Sequence, residues 1–374
     1  PAINTFIFFF AGVAVAIAIL DHRTAPSLNV SFDRQLLTRF VILLLLLPIS
    51  YQLARGIMDA TPLRYEDADM LPVIRIMGQR FVSGQWQHVY DPIPGIWNGI
   101  RPIYLPGLWI PFASSLIFHF DPRWITVCGI WLSVIVFLLP RMRSRPDHFL
   151  LLACMLSLLV FLHVDADNSV IELSEEGPVF FYYSFLVLAI VLRNPWVLGC
   201  AIALCLTSRY AFIGWIPFAI IIAVWQRQYR LLLRSSLTAA AVCVILLAPF
   251  GTRPLLEHLH LHRDYIAHAA RVWHDNPEFY TDGLGFAKFF GPQHIRLQHA
   301  ILVAGSFIVP LLLLPVVRKR TVAFNAVLLA GLQLTLTFFY SFLDVTYQYL
   351  YYTPVFVTLC IAAIALSGES RIRE

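Results

Sequence analysis

Three carboxylates, Glu66, Asp67 and Asp69, crowd into one short stretch directly after an apolar run long enough to cross a bilayer. A carboxylate there can accept a proton from an attacking group, join its neighbour on a divalent cation, or cap the helix that follows. Other residues further along carry chemistry of their own. Ser208-Arg209-Tyr210 sits between two apolar runs, where an arginine holds an anion or snorkels to the membrane surface. Glu175-Glu176-Gly177-Pro178 places two acids at a helix entry, where they suit the helix dipole in a solvated loop. His258, His260 and His262 alternate with leucines. All three share a face on a strand, and only His258 and His262 align on a helix. No carboxylate or cysteine completes a metal set there. The segment reads better as a basic, aromatic surface of His258, Arg263, His268, Arg271, Trp273 and His274, suited to phosphate, sugar or a lipid headgroup. Tyr347, in the tyrosine-rich turn after Asp344, lines a groove at the same surface or belongs to an aromatic belt.

The elements that must position these residues are membrane helices. With 59% hydrophobic and 13% charged residues and a mean hydropathy of +0.72, the 374-residue chain cannot cover a soluble surface. The expectation is an all-α polytopic protein, one integral membrane domain over 1–374. The modest net charge of +5 gives no nucleic-acid footprint. The six cysteines lie singly in apolar runs and read as small packing residues. The apolar run near Pro1 has no basic stretch before it, so no cleavable signal is expected. Candidate spans are 3–20, 39–57, 123–140, 148–163, 178–192, 195–208, 210–226, 235–250, 300–317, 322–340 and 346–366, about eleven in all.

The run 104–120 is apolar but carries Pro106 and Pro111. Reading it as a re-entrant or interfacial segment puts the arginine-dense short connections, such as Arg141-Met142-Arg143 and Arg318-Lys319-Arg320, on one side. The positive-inside rule makes that side cytoplasmic. More than half of the 27 basic residues then lie there, against only Asp21, Asp33, Asp147, Glu369 and Glu374 of the 22 acids. The loops 58–122, 164–177 and 251–299 fall on the other face. Two of these are long and rich in aromatics, which favours function over disorder.

Within the first loop, Met70, Val73, Ile74, Met77 and Phe81 recur at helical spacing, with Arg75, Gln79, Arg80 and Ser83 largely on the other side. The spacing predicts an interfacial helix that ends by Gly84 and has Asp69 at its N-terminus. Gly84, Val89-Tyr90-Asp91-Pro92 and Arg101-Pro102-Ile103-Tyr104-Leu105-Pro106 follow in order. This ordered set resembles the GT-C superfamily of membrane glycosyltransferases, in particular bacterial polyprenyl-phosphate-dependent mannosyltransferase-like proteins. The likeness covers residues 39 to about 140; beyond them it is one of hydropathy.

The resemblance implies a GT-C arrangement of about eleven helices in a bacterial inner membrane, with the active-site loops extracytoplasmic. It implies transfer of a monosaccharide from a polyprenyl-phosphate donor to a glycan, lipid or protein acceptor, with inversion. The catalytic aspartate falls on Asp69, with Asp67 as the alternative. Asp67-Ala68-Asp69 also resembles the Asp-x-Asp metal motif of some relatives, so a divalent cation would sit on Asp67 and Asp69. Arg209, with Tyr210, is expected on the donor phosphate, and Glu175 and Glu176 on the acceptor or a metal. His258, Arg263 and Tyr347 are expected on phosphate, sugar or lipid. The rival classes are a noncatalytic subunit of a membrane assembly and a lipid or sugar transporter or flippase. A transporter of that kind is expected to show matching halves and midplane charges, and the sequence shows neither.

Overall fold

The computed structural model describes residues 2–21, 34–66, 68–96, 99–140, 142, 144–164, 170–252, 265–319 and 322–367. Asp67, Asp165, Asp167, His258, His260, His262 and Arg263 lie outside the described residues, as do Arg141, Arg143 and Arg320.

The chain is almost entirely helical. Among the described residues the only β pairing is an isolated bridge between Ile93 and Ile100. In chain order the longer helices are α1 (Ala2–Asp21), α2 (Arg34–Ala60), α3 (Met70–Val82), α4 (Pro106–Phe118), α5 (Arg123–Leu138) and α6 (Arg145–Val164). After the single turn α7 (Val170–Leu173) come α8 (Gly177–Leu192), α9 (Pro195–Leu206), α10 (Trp215–Trp225) and α11 (Tyr229–Leu247). The last part holds α12 over residues 265–275, then α13 (Glu278–Thr281), α14 (Ala287–Phe290), α15 (Ile295–Leu311), α16 (Leu314–Lys319), α17 (Phe324–Ser341) and α18 (Tyr352–Ser367).

Seven of the described helical segments are long and apolar enough to cross a membrane. The predicted spans at 123–140, 178–192, 195–208 and 210–226 fall instead on helices of 10–17 residues. The bundle closes around α17, whose span is 94% buried, while the α2 span is 22% buried and presents Leu44, Leu45 and Ile49 outward. An apolar rim around a buried helix is the pattern of a protein solvated by lipid.

Arginines fix the helix ends. The guanidinium of Arg123, 3% exposed, donates to Met58 O at 2.9 Å and Thr61 O at 2.7 Å, supplying carbonyls left over where α2 ends. At the other end of the same helix pair, Arg39 donates to Leu138 O at 2.7 Å and Pro140 O at 2.6 Å, closing α5. The two helices therefore run antiparallel, tied at both ends. Arg193, in the left-handed region at φ 53°, terminates α8, stacks over Phe324 at 5.3 Å and bonds Gln228 Oε1 at 2.7 Å. This gathers the start of α17 and the α10–α11 turn at the Arg39 end.

The Arg123 end collects the chemistry-bearing loops. The predicted helix after Asp69 is present as α3, with Val73, Ile74 and Met77 buried and Arg75 and Gln79 exposed. It ends two residues before Gly84, whose φ of +78° turns the chain away. The α3 helix packs on α4 at Gly78, where an added Cβ would lie 3.0 Å from Leu116. Pro111 within α4 has no N–H for the carbonyl of Gly107, and Tyr182 donates its hydroxyl to that oxygen instead, at 3.0 Å. The start of α4 thereby sits against α8 and the end of α9, while its C-terminus lies a short turn from the start of α5. Both ends of α4 belong to the loop-rich end of the bundle.

The helix α12 lies within the loop 251–299, its apolar residues at helical spacing. Ile266, Ala269, Val272 and Trp273 form its inner face and pack with Tyr280, Ala287, Ile295 and Val345 in a second, smaller core over the same end.

Candidate functional site

Asp69 is the N-cap residue of α3: its backbone carbonyl accepts from Val73 N at 2.9 Å. Its side chain makes no capping hydrogen bond. The carboxylate is thus spared the structural duty that Asp performs best at such a place. Burial, and then the charge of Glu175, push its pKa above the ordinary carboxylate range. A residue from the first loop therefore shares a site with one more than a hundred positions further along.

Close backbone packing sets Glu175 and Glu176. Gly129 of α5 and Gly177 of α8 cross so tightly that a Cβ on Gly177 would stand 2.3 Å from Thr126 Cα. Thr126 Oγ1 donates to Ser174 O at 2.7 Å, and Glu176 N donates to Ser174 Oγ at 3.0 Å. The preceding segment is held rigid, and both glutamates turn inward at 1% and 0% exposure.

Arg209 meets them from the end of α9, where its extended backbone (φ −143°) separates that helix from the turn at Tyr210–Phe212. Gly107 lies directly on Thr207, a contact that closes the loop around Arg209. Arg209 Nη2 donates to Glu175 Oε1 at 2.5 Å and to Glu176 Oε1. Glu176 Oε2 accepts from Thr353 Oγ1 at 3.5 Å. Burial, reinforced by Glu175 and opposed by Arg209, pushes the Glu176 carboxyl up to about 7. Two atoms of this triad are buried without a partner among the described residues: Glu175 Oε2 and Arg209 Nε.

Tyrosines wall the triad. Tyr104 is buried, its carbonyl held by the Tyr90 hydroxyl at 3.0 Å, which accepts from Trp109 Nε1 at 3.1 Å. Burial first, then the charges of Glu175 and Asp69, raise the Tyr104 phenol. Tyr349 lies near Glu175 and Arg209. Tyr347 stacks on Tyr349 (centroids 5.9 Å, 18°), meets the edge of Phe279 at 5.2 Å, and feels Asp69. Tyr265 of α12 senses both Arg209 and Asp344. Beyond it lies a buried pair, His299 Nδ1 on Asp344 Oδ2 at 2.5 Å, with Gln298 Nε2 donating to Leu343 O at 2.6 Å. Gln298-His299 directly precedes the apolar run 300–317, and no local spacing joins it to Asp344.

Of the predicted site residues, the structure brings together Asp69, Glu175, Glu176, Arg209 and Tyr347. Tyr210 is 37% exposed beside them. The Val89-Tyr90-Asp91-Pro92 stretch has a supporting part: Arg80 donates to the carbonyls of His88, Asp91 and Pro92 at 3.1, 2.6 and 3.2 Å, and Tyr90 seats Tyr104. Among the described residues no three His, Cys, Asp or Glu side chains are placed to hold a metal ion. Two carboxylates, Glu175 and Glu176, hold the one guanidinium, and Asp69 adds a third near Glu175, so the site is acidic overall. Outside it, along the exposed face of α3, an open depression of about 490 Å³ is lined by Arg64, Tyr65, Glu66, Arg75 and Gln79 among others. No family model matches the chain, and neither a curated protein nor a solved structure matches it.

Proposed function

We propose that the protein is a GT-C-type glycosyltransferase of about eleven membrane helices, acting at the extracytoplasmic face of a bacterial inner membrane. It moves a monosaccharide from a polyprenyl-phosphate donor to a glycan, lipid or protein acceptor. The observation that carries this reading is Asp69: a half-buried carboxylate, free of capping duty, near the buried Glu175 of the Arg209–Glu175–Glu176 cluster at the loop-rich end of the bundle.

The acceptor hydroxyl gives its proton to the Asp69 carboxylate as its oxygen bonds to the anomeric carbon. The bond from that carbon to the phosphate oxygen breaks in line, its electron pair leaves with polyprenyl phosphate, and the anomeric configuration inverts. Arg209, a cation fixed by two glutamates and a quarter exposed, offers its remaining N–H edge to the departing phosphate. The raised Asp69 suits a base that must also hold the proton it takes. Asp67 is the neighbouring alternative.

The test is stereochemical. Purified protein in vesicles is given polyprenyl-phosphate monosaccharides of known anomeric configuration and a membrane acceptor extract. Product of opposite configuration is expected. Product of retained configuration, or no transfer from any donor, contradicts the proposal.

A further inference from the structure

Every polar atom of the Glu175–Arg209–Glu176 triad is accounted for among the described residues except two kinds. Arg209 has N–H groups to spare, of which Nε is sealed from solvent, and Glu175 Oε2 is sealed from solvent with nothing donating to it. A buried acceptor and a buried donor left open on one ion pair are costly, and native structures close such gaps with a ligand or an ordered water. A phosphate closes only half of this one. It can accept from Arg209 Nε, but it has no proton for Glu175 Oε2. A hydroxyl closes both, donating through its proton to Oε2 and accepting through its oxygen from Nε. A ring hydroxyl reaches the two atoms once the side chains that seal them draw back, and Tyr104 and Tyr349, whose phenols lie near Glu175, supply aromatic surface for the ring.

We infer that the Glu175–Arg209 pair is the sugar-reading element of the site: Glu175 Oε2 and Arg209 Nε together bind a ring hydroxyl of the transferred monosaccharide. The inference rests on the transferase reading above and assigns Glu175 a task separate from that of Asp69. Glu176, whose oxygens are taken by Arg209 and Thr353, is the positioning residue that keeps the guanidinium turned toward Glu175. Hydroxyl-bearing donors are then held by a charge-assisted hydrogen bond that a bare lipid phosphate cannot make.

The experiment compares binding of a polyprenyl-phosphate monosaccharide, its monodeoxy analogues and sugar-free polyprenyl phosphate to the full chain in detergent. The proteins are the wild type, Glu175→Gln and Glu175→Ala, and each variant's melting curve serves as the folding control. In the wild type the sugar is expected to tighten binding over the bare lipid by about tenfold or more, and one deoxy analogue to lose that gain. In both variants the glycosylated donor and that deoxy analogue are expected to bind alike, with a larger loss for the glycosylated donor than for the bare lipid. If the variants weaken bare lipid and donor equally, Glu175 only holds Arg209 in place and the inference is overturned. If the deoxy series shows the same pattern in wild type and variants, the two open atoms hold a structural water and the inference is again overturned, while the transferase reading stands. If neither lipid binds the folded wild type, the transferase reading falls and takes the inference with it.

Discussion

Glu176 is the residue whose environment is most at odds with its charge. It is fully buried, and its carboxyl is pushed to about 7 from an ordinary 4.5 because burial outweighs the pull of Arg209. A carboxyl whose folded-state value is raised binds its proton more tightly when folded, so it stabilises fully below pH 4.5. That contribution is lost as the pH rises through 7. Thermal melts in detergent are therefore expected to fall between pH 5 and pH 8 in the wild type and to flatten in Glu176→Gln; equal slopes in both would show that Glu176 does not set the pH dependence. At this scale the sequence was legible in part. Asp69 stood out because an acid at a membrane surface precedes a helix pattern that places it at an N-terminus. The pairing of Arg209 with Glu175 and Glu176 did not, because it depends on where α8 and α9 bring their ends, and no local spacing records that.

The elements place the triad through close crossings of small residues rather than through loop chemistry. Gly177→Ala would set its Cβ against the backbone of Thr126, with no flexible side chain to yield. It is expected to cost about 1–3 kcal/mol of stability and to reduce transfer by displacing Glu175 and Glu176. Gly56→Ala in α2, where nothing lies within 4 Å of the new methyl, is expected to leave both unchanged. Paired melting and transfer assays check this, and equal effects of the two substitutions would count against the crossing as the source of the site's geometry. Periodicity gave α3 its length and its inner face, because a helix at an interface must segregate Val73, Ile74 and Met77 from Arg75 and Gln79. The packing of α12 escaped notice because its core, with Tyr280, Ala287 and Val345, is assembled from distant segments.

For the whole molecule, hydropathy made the helical bundle legible, since only apolar helices satisfy their own backbone in lipid. It did not separate the seven long helices from the shorter ones, because a short apolar helix inside a bundle and a true span share one composition. The two ends of the bundle carry the proposed orientation. In a background without the six native cysteines, Asn276→Cys, at the loop-rich end, is expected to react with an impermeant thiol reagent in intact cells. Arg230→Cys, at the other end, is expected to react only after the membrane is opened. The reverse pattern would place the site in the cytoplasm and remove the need for a lipid-phosphate donor. The central claim is that the Asp69 carboxylate takes the acceptor's proton. Its most direct test is the transfer rate of purified Asp69→Asn, with Asp67→Asn beside it, in vesicles loaded with a radiolabelled polyprenyl-phosphate monosaccharide. The expected result is a fall of about 100-fold or more for Asp69→Asn, with donor binding retained and Asp67→Asn active. Wild-type transfer by Asp69→Asn would contradict the account.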